Sequence, residues 1–302
     1  MVKVFAPAKI NLTLHVTDQN DAGYHILDSL VAFASVGDDI ELTASADLSL
    51  RVRGPEAAGV PTGPQNLALA GAELLTGQVG AAVTLTKRLP SASGVGGGSA
   101  DAAAAFRAML VHGEAGNLPV EALRSKPDRI YRAYAERLLS LGADVPMCLL
   151  SRPVRARGIG EVLRVVSLPR LSAVLVNPRV AVSTREVFGA LRDKQNPAMP
   201  DHFPEFGTPA AVIAFLSEMR NDLEAPAMSI APEIAQVLGA LTETSGCALA
   251  RMSGSGATCF GLYEVRTDAG DAAHALREAH PDWWVADCWL GDQLSAALPY
   301  FD

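Results

Sequence analysis

The chain has 302 residues, 49% of them hydrophobic and 19% charged, enough to bury one large core or two of ordinary size. Its net charge of −8 and the lack of any long basic run argue against a nucleic-acid surface, and no apolar run approaches the roughly 18 residues of a membrane span. The cysteines at 148, 247, 259 and 288 have neither zinc nor disulfide spacing, which predicts a reducing, cytoplasmic setting.

The first residues, Met1 to Lys9, read as an immediate strand rather than a signal peptide. Strands are expected at about 2–6, 10–16 and 29–43, interrupted by a turn at Asp21-Ala22-Gly23. Asn66 is placed to cap a helix over Leu67–Leu75, and residues 83–87 alternate like a strand. A glycine run follows, then a strong helix former from Asp101 to Leu110. Asp128 is expected to cap a helix whose apolar stripe is Ile130, Ala133, Tyr134, Leu138 and Leu141, ended by Gly142. Residues 151–172 are rich in Pro and Gly, and a domain seam is expected near 165, dividing 1–165 from 166–302. Beyond it the pattern predicts a strand at Ala173–Val176, a helix from Ser183 and a Pro-rich loop at 196–209. Helices at 209–219 and 231–244, a strand at Thr258–Tyr263, a helix at 268–279 and a strand at 284–289 complete the chain. Strands and helices alternate without βαβ regularity, so two α+β domains are expected.

The stretch from Pro90 to Asp101, with Ser93, Gly94, Val95, Gly96, Gly97, Gly98, Ser99 and Ala100 between, is the most informative in the chain. Strand, glycine loop and helix N-terminus in succession point free amides and a positive dipole end at bound phosphate. Ser99 is read as the helix cap or a ligand of phosphate or magnesium. The known fingerprints do not fit. None of the five lysines follows a glycine, as a P-loop needs, and Ser99 stands where a dinucleotide loop needs its third glycine. Protein-kinase signatures are missing too.

Three separated blocks, Pro7-Ala8-Lys9-Ile10-Asn11-Leu12, the Pro90–Asp101 loop and Met252-Ser253-Gly254-Ser255-Gly256-Ala257-Thr258, together resemble the GHMP small-molecule kinases. Gly23-Tyr24-His25, Gln65-Asn66-Leu67, Gly142 to Pro146, Arg157 to Glu161 and Asn221 to Glu224 narrow the resemblance to the branch acting on a cytidylated methylerythritol, rather than homoserine or mevalonate. It implies an N-terminal domain like ribosomal protein S5 domain 2, a ferredoxin-like C-terminal domain, and ATP-dependent phosphorylation of the tertiary 2-hydroxyl. ATP as its Mg²⁺ complex is the implied co-substrate, with no protein metal ligand assigned. The partners implied are small molecules, with neither nucleic acid nor membrane, on a monomer or homodimer. A non-catalytic regulator on the same fold is the rival; it predicts loss of Lys9 or Asp144, and both are present.

The resemblance also implies roles. Asp144, between a helix-ending glycine and Pro146, is the base for the alcohol, with Lys9 beside it to hold the carboxylate ionised and stabilise transferring charge. Tyr24 and His25 offer an aromatic face and an imidazole to cytosine, Phe188 closes the sandwich, and Thr184 and Asn11 contact substrate. Asn66 serves the nucleotide side, or only its helix. The chain departs from the family twice: the stretch before Asp144, near 113–130, is longer, and the loop opens Ser91-Ala92-Ser93 where relatives are richer in glycine.

Overall fold

The computed structural model describes residues 1–75, 80–112 and 118–302. Its organising element is a long strand, β3 (His25–Ala44), preceded by β1 (Val2–Asn11) and β2 (His15–Gln19). All three belong to a mixed sheet of twelve strands among the described residues. Along β3, β2 and β1 pair antiparallel in succession. Further antiparallel partners are β5 (Ala81–Thr86) and β6 (Val154–Gly158), while β4 (Ser49–Arg53) runs parallel to β5 and β7 (Val162–Val165) covers β6. From the second half come β8 (Leu171–Asn177), β9 (Cys247–Met252), β10 (Cys259–Tyr263) and β11 (Trp284–Gly291), in the order β11-β8-β10-β9. β11 pairs with β3 at Leu290↔Ala34 and Gly291↔Phe33, which makes the sheet continuous through both halves, and β12 (Tyr300–Phe301) edges β1.

Two strands expected at 2–6 and 10–16 are instead one ten-residue β1 followed by β2, because Pro7 does not end the strand but sits at a bulge. Pro7 pairs with Gly37 and Lys9 with Phe33, so the register shifts between them. Proline lacks an amide and bulges tolerate it. Gly37 lets β1 approach, since a Cβ there would lie 2.1 Å from the Ala6 carbonyl oxygen. At the shift the Lys9 amide leaves β3 and donates to the Val95 carbonyl, 2.8 Å away, in the glycine loop.

The helices are α1 (Leu67–Glu73), α2 (Gly97–Val111), α3 (Val120–Ser125), α4 (Pro127–Leu139), α5 (Val145–Leu150), α6 (Thr184–Ala190), α7 (Pro209–Ser217), α8 (Glu224–Ile230), α9 (Glu233–Glu243) and α10 (Arg266–Ala279). Asn66 and Ser183 cap α1 and α6, accepting from Ala68 N and Glu186 N. Two expected caps are corrected. α2 begins at Gly97 with Gly96 as its cap, so Ser99 lies within the first turn; a left-handed glycine lets the helix start earlier than side-chain capping would. Lys126, not Asp128, precedes α4, because Pro127 takes the first helical position and Asp128 the second. Of the longer stretch near 113–130, residues 113–117 lie outside the described part; the rest forms α3 and the start of α4.

α2 is buried on every side from Ala100 to Leu110, its two charged residues, Asp101 and Arg107, included. Its alanines pack close against α1, β1, β3 and α5 within one core, which also takes Val31, Phe33, Ile40 and Leu42 of β3. A second core lies under α6, α8, α9 and α10, and a third, around Ile10, Leu30, Leu175 and Phe260, bridges the halves.

Candidate active site

The glycine loop crosses the end of β5 and opens into α2. Ala92, Gly94 and Gly96 take φ of +49°, +76° and +63°, turning the chain sharply over a few residues. Alanine at 92 accepts a left-handed conformation that glycine takes without cost, a burden of about 1 kcal/mol. The loop is clamped by the second half. A Cβ on Gly94 would lie 2.6 Å from the Gly256 carbonyl oxygen, the Ser253 hydroxyl donates to the Gly94 carbonyl, and Thr258 N donates to the Ser93 carbonyl. Asn221 holds the other side of that turn by donating to the Met252 and Gly254 carbonyls.

Beside the loop lies an ion pair. Lys9 Nζ is 2.9 Å from Asp144 Oδ2 and donates to Asn11 Oδ1 at 2.8 Å. The lysine side chain is 6% exposed and the aspartate 36%, so the carboxylate faces the cavity while the ammonium is packed behind it. Lys9 and Asn11, two residues apart on one strand, share a face, which is why one bonds the other. Asn11 is itself fixed by donating to Ser29 Oγ and by its amide to Ser253 Oγ. A Cβ on Gly96 would fall 3.0 Å from Lys9 Cε, which puts loop backbone against the ion pair.

Asp144 immediately precedes α5 and its carboxylate does not cap that helix, leaving it free for Lys9. The position of α5 is set by Arg107 of α2, fully buried, whose Nη2 donates to the Cys148 and Leu149 carbonyls and to Ser151 Oγ. Burial lowers the Arg107 pKa to about 10, so it remains charged at neutral pH. One guanidinium thereby ties the helix behind the glycine loop to the helix in front of which Asp144 stands.

A second buried cluster underlies the loop. Lys87, just past β5, places Nζ 2.5 Å from Asp38 Oδ2 and 3.0 Å from Asp101 Oδ2. Burial opposes the lysine charge, but Asp101 and Asp38 overcome it and its pKa is raised; burial and then Asp38 push the Asp101 carboxyl well above the ordinary range. Asp38 also accepts from the Arg88 and Leu89 amides, so the chain entering the loop is anchored on the β3 side.

His25, at the start of β3, stacks on Phe188 of α6 with ring centroids 4.7 Å apart, and its Nε2 is buried without a partner among the described residues. Burial, and then the charge of Lys194, lower the imidazole pKa, keeping the ring neutral. Tyr24 stands 60% exposed at the rim, and Thr184 shares a hydrogen bond of 2.8 Å with Ser255.

The glycine loop, the Lys9–Asp144 pair, Lys87 with Asp101, and the His25–Phe188 stack border one cavity of about 1320 Å³. It brings together Lys9, Asn11, Tyr24, His25, Asn66, Pro90, Ser93, Gly94, Gly96, Gly97, Gly98, Ser99, Asp144, Thr184 and Phe188. Val95 and Ala100 are not on its wall: both side chains are buried in the core, and the Ala100 amide is spent on the Gly96 carbonyl inside α2. Ser93 Oγ is likewise spent on the Pro90 carbonyl. Sequence reasoning missed Lys87, Arg185 and Lys194 on the same wall. A charged residue directly before the loop was a signal for Lys87; nothing local marks Lys194, which a distant loop delivers.

Two family models match, the GHMP kinases N-terminal domain over residues 66–152 and the GHMP kinases C-terminal region over 203–282. The chain is 49% identical to the 4-diphosphocytidyl-2-C-methyl-D-erythritol kinase of Roseobacter denitrificans, over 99% of this chain and 97% of that protein. It is 52% identical to the enzyme of the same name from Dinoroseobacter shibae, over 93% and 92%. A crystal structure of 4-(cytidine 5'-diphospho)-2C-methyl-D-erythritol kinase superposes with a TM-score of 0.73 at 33% identity, covering 96% of this chain and 99% of that one. With about half its residues shared over nearly its whole length, the chain belongs to the GHMP kinase family, in the branch that contains the 4-diphosphocytidyl-2-C-methyl-D-erythritol kinases.

Proposed function

We propose that this kinase transfers the γ-phosphoryl group of ATP to the tertiary 2-hydroxyl of 4-diphosphocytidyl-2-C-methyl-D-erythritol, a step in isoprenoid precursor synthesis. One observation carries the reading: the Lys9–Asp144 pair stands in a single cavity with the glycine loop and with the aromatic group of Tyr24, His25 and Phe188. The loop amides of Gly96 to Ser99, at the head of α2, receive the nucleotide phosphates. Tyr24, His25 and Phe188 receive the cytosine, while Asn11 and Thr184 bind between the two ends. Asp144 takes the proton of the alcohol as its oxygen attacks the γ-phosphorus and ADP departs; Lys9 neutralises charge on the carboxylate and on the transferring group.

Bound as its magnesium complex, ATP would have part of its phosphate charge shielded by the ion. Among the described residues no three His, Cys, Asp or Glu side chains cluster as a metal site, and Ser99, whose hydroxyl would reach the ion or the phosphates, lies on the cavity wall. No helix of the described residues is long and apolar enough to cross a membrane. We place the enzyme in the cytoplasm as a monomer or homodimer with small-molecule partners, with the two units meeting near residue 165.

The deciding assay follows ADP release with the cytidylated methylerythritol, homoserine and mevalonate offered in parallel. Turnover confined to the first supports the reading, and turnover of either other alcohol alone overturns it. The neutral imidazole makes a pH prediction. The His25 pKa lies below 6.5, so KM for the cytidylated alcohol should stay flat down to that pH and rise on further acidification, as the ring gains charge. KM for ATP should not follow. His25→Gln should remove the acid limb; an unchanged limb in that variant would take His25 out of the base pocket.

A further inference from the structure

We propose that Lys194 is a specificity-determining contact, its ammonium donating to an oxygen acceptor at the nucleobase end of the cytidylated substrate. The inference rests on the function proposed above and adds to it a residue that no local motif marks.

The loop after α6 lies along β2, and Asn196 clasps it there: its backbone amide and its Nδ2 both donate to the Val16 carbonyl at 3.1 Å. This clasp carries Lys194 to the end of β2, where Nζ donates to Gln19 Oε1 at 2.9 Å. Gln19 Nε2 in turn donates to the Gly23 carbonyl at 2.9 Å, in the turn that presents Tyr24 and His25. Lys194 borders the cavity together with Gln19, Tyr24, His25 and Phe188. Among the described residues no carboxylate lies within ion-pair distance of its ammonium.

An ammonium has three donors and no acceptor capacity, and Gln19 occupies one. The remaining donors belong to a cavity wall that Lys194 shares with His25 and Phe188, whose rings stack and whose imidazole Nε2 has no partner among the described residues. A pyrimidine stacked on those rings presents a carbonyl oxygen at its edge. A cation already half withdrawn from water and without a countercharge can meet that oxygen more cheaply than a fully solvated lysine could.

The experiment compares Lys194→Met, Lys194→Arg and Gln19→Met, reading steady-state kinetics with both substrates and calorimetric binding of cytidine monophosphate. Lys194→Met keeps most of the apolar stem and removes the charge. It should raise KM for the cytidylated alcohol and weaken cytidine monophosphate by about tenfold or more, the size of a lost charged hydrogen bond, leaving kcat and KM for ATP near wild type. Lys194→Arg should stay within about threefold of wild type. Gln19→Met removes the brace but keeps the ammonium, and should lose clearly less than Lys194→Met. The contact is overturned if Lys194→Met binds cytidine monophosphate like wild type, if Lys194→Arg loses as much as Lys194→Met, or if Gln19→Met reproduces the whole loss. Failure of the wild-type enzyme to turn over the cytidylated alcohol would instead strike the proposed function, a result these comparisons keep separate.

Discussion

Asp144→Asn should lower kcat by about 10²–10⁴, the usual contribution of a general base, while both substrates still bind. The amide keeps the shape of the carboxylate but cannot accept the alcohol proton, and it gives up the charge that Lys9 faces at 2.9 Å. The helix behind it should hold, because α5 is fixed by Arg107 and Asp144 does not cap it with its side chain. Rapid-quench turnover of the folded variant, with calorimetry of each ligand, separates chemistry from binding. A kcat near wild type would remove Asp144 from the proton transfer.

Gly96→Val should abolish measurable ATP binding and leave the cytidylated alcohol bound. Two costs add at this position. A β-branched residue at φ +63° carries strain of about 1–3 kcal/mol, and its Cβ would lie 3.0 Å from Lys9 Cε and 3.8 Å from Asp144 Oδ2. The loop must therefore shift or the ion pair must move, and either change spoils the phosphate cradle. Gly97 is a gentler neighbour, helical in backbone, with a Cβ that would meet Lys87 Nζ at 3.3 Å. Titration of Gly96→Val with ATP and with the cytidylated alcohol tests the assignment. Wild-type ATP affinity in a folded Gly96→Val protein would mean that the loop does not hold phosphate.

The elements that read clearly from sequence are those whose signals are local. Asn66 and Ser183 cap where short polar side chains precede helical runs, and α7, α9 and α10 begin within two residues of expectation. The start of α2 misled because a left-handed glycine, not Ser99, opens it. β1 differs from expectation because it runs on through Pro7, which a bulge opposite Gly37 absorbs. β4, β7 and β9 are short, and their strand character depends on neighbours they find only in the assembled sheet.

The same division holds at the site. By itself the sequence determined the α+β class and the glycine loop, because each rests on local patterns whose chemistry travels with them, while the family and the pairing of Lys9 with Asp144 came from a resemblance carried by separated blocks. Only the tertiary structure decided which loop residues face the cavity: Val95 packs into the core around Ile10 and Leu30, and Ala100 into the core that encloses α2. It also decided that Arg107 holds the helix behind Asp144, that Lys87 is locked between Asp38 and Asp101, and that Lys194 reaches the His25 end of the cavity. These are contacts between residues from 14 to 175 positions apart in sequence. Side-chain hydrogen bonds and ion pairs act over a few ångströms, so their partners are chosen by how the sheet and helices pack, and no local pattern along the chain carries that information.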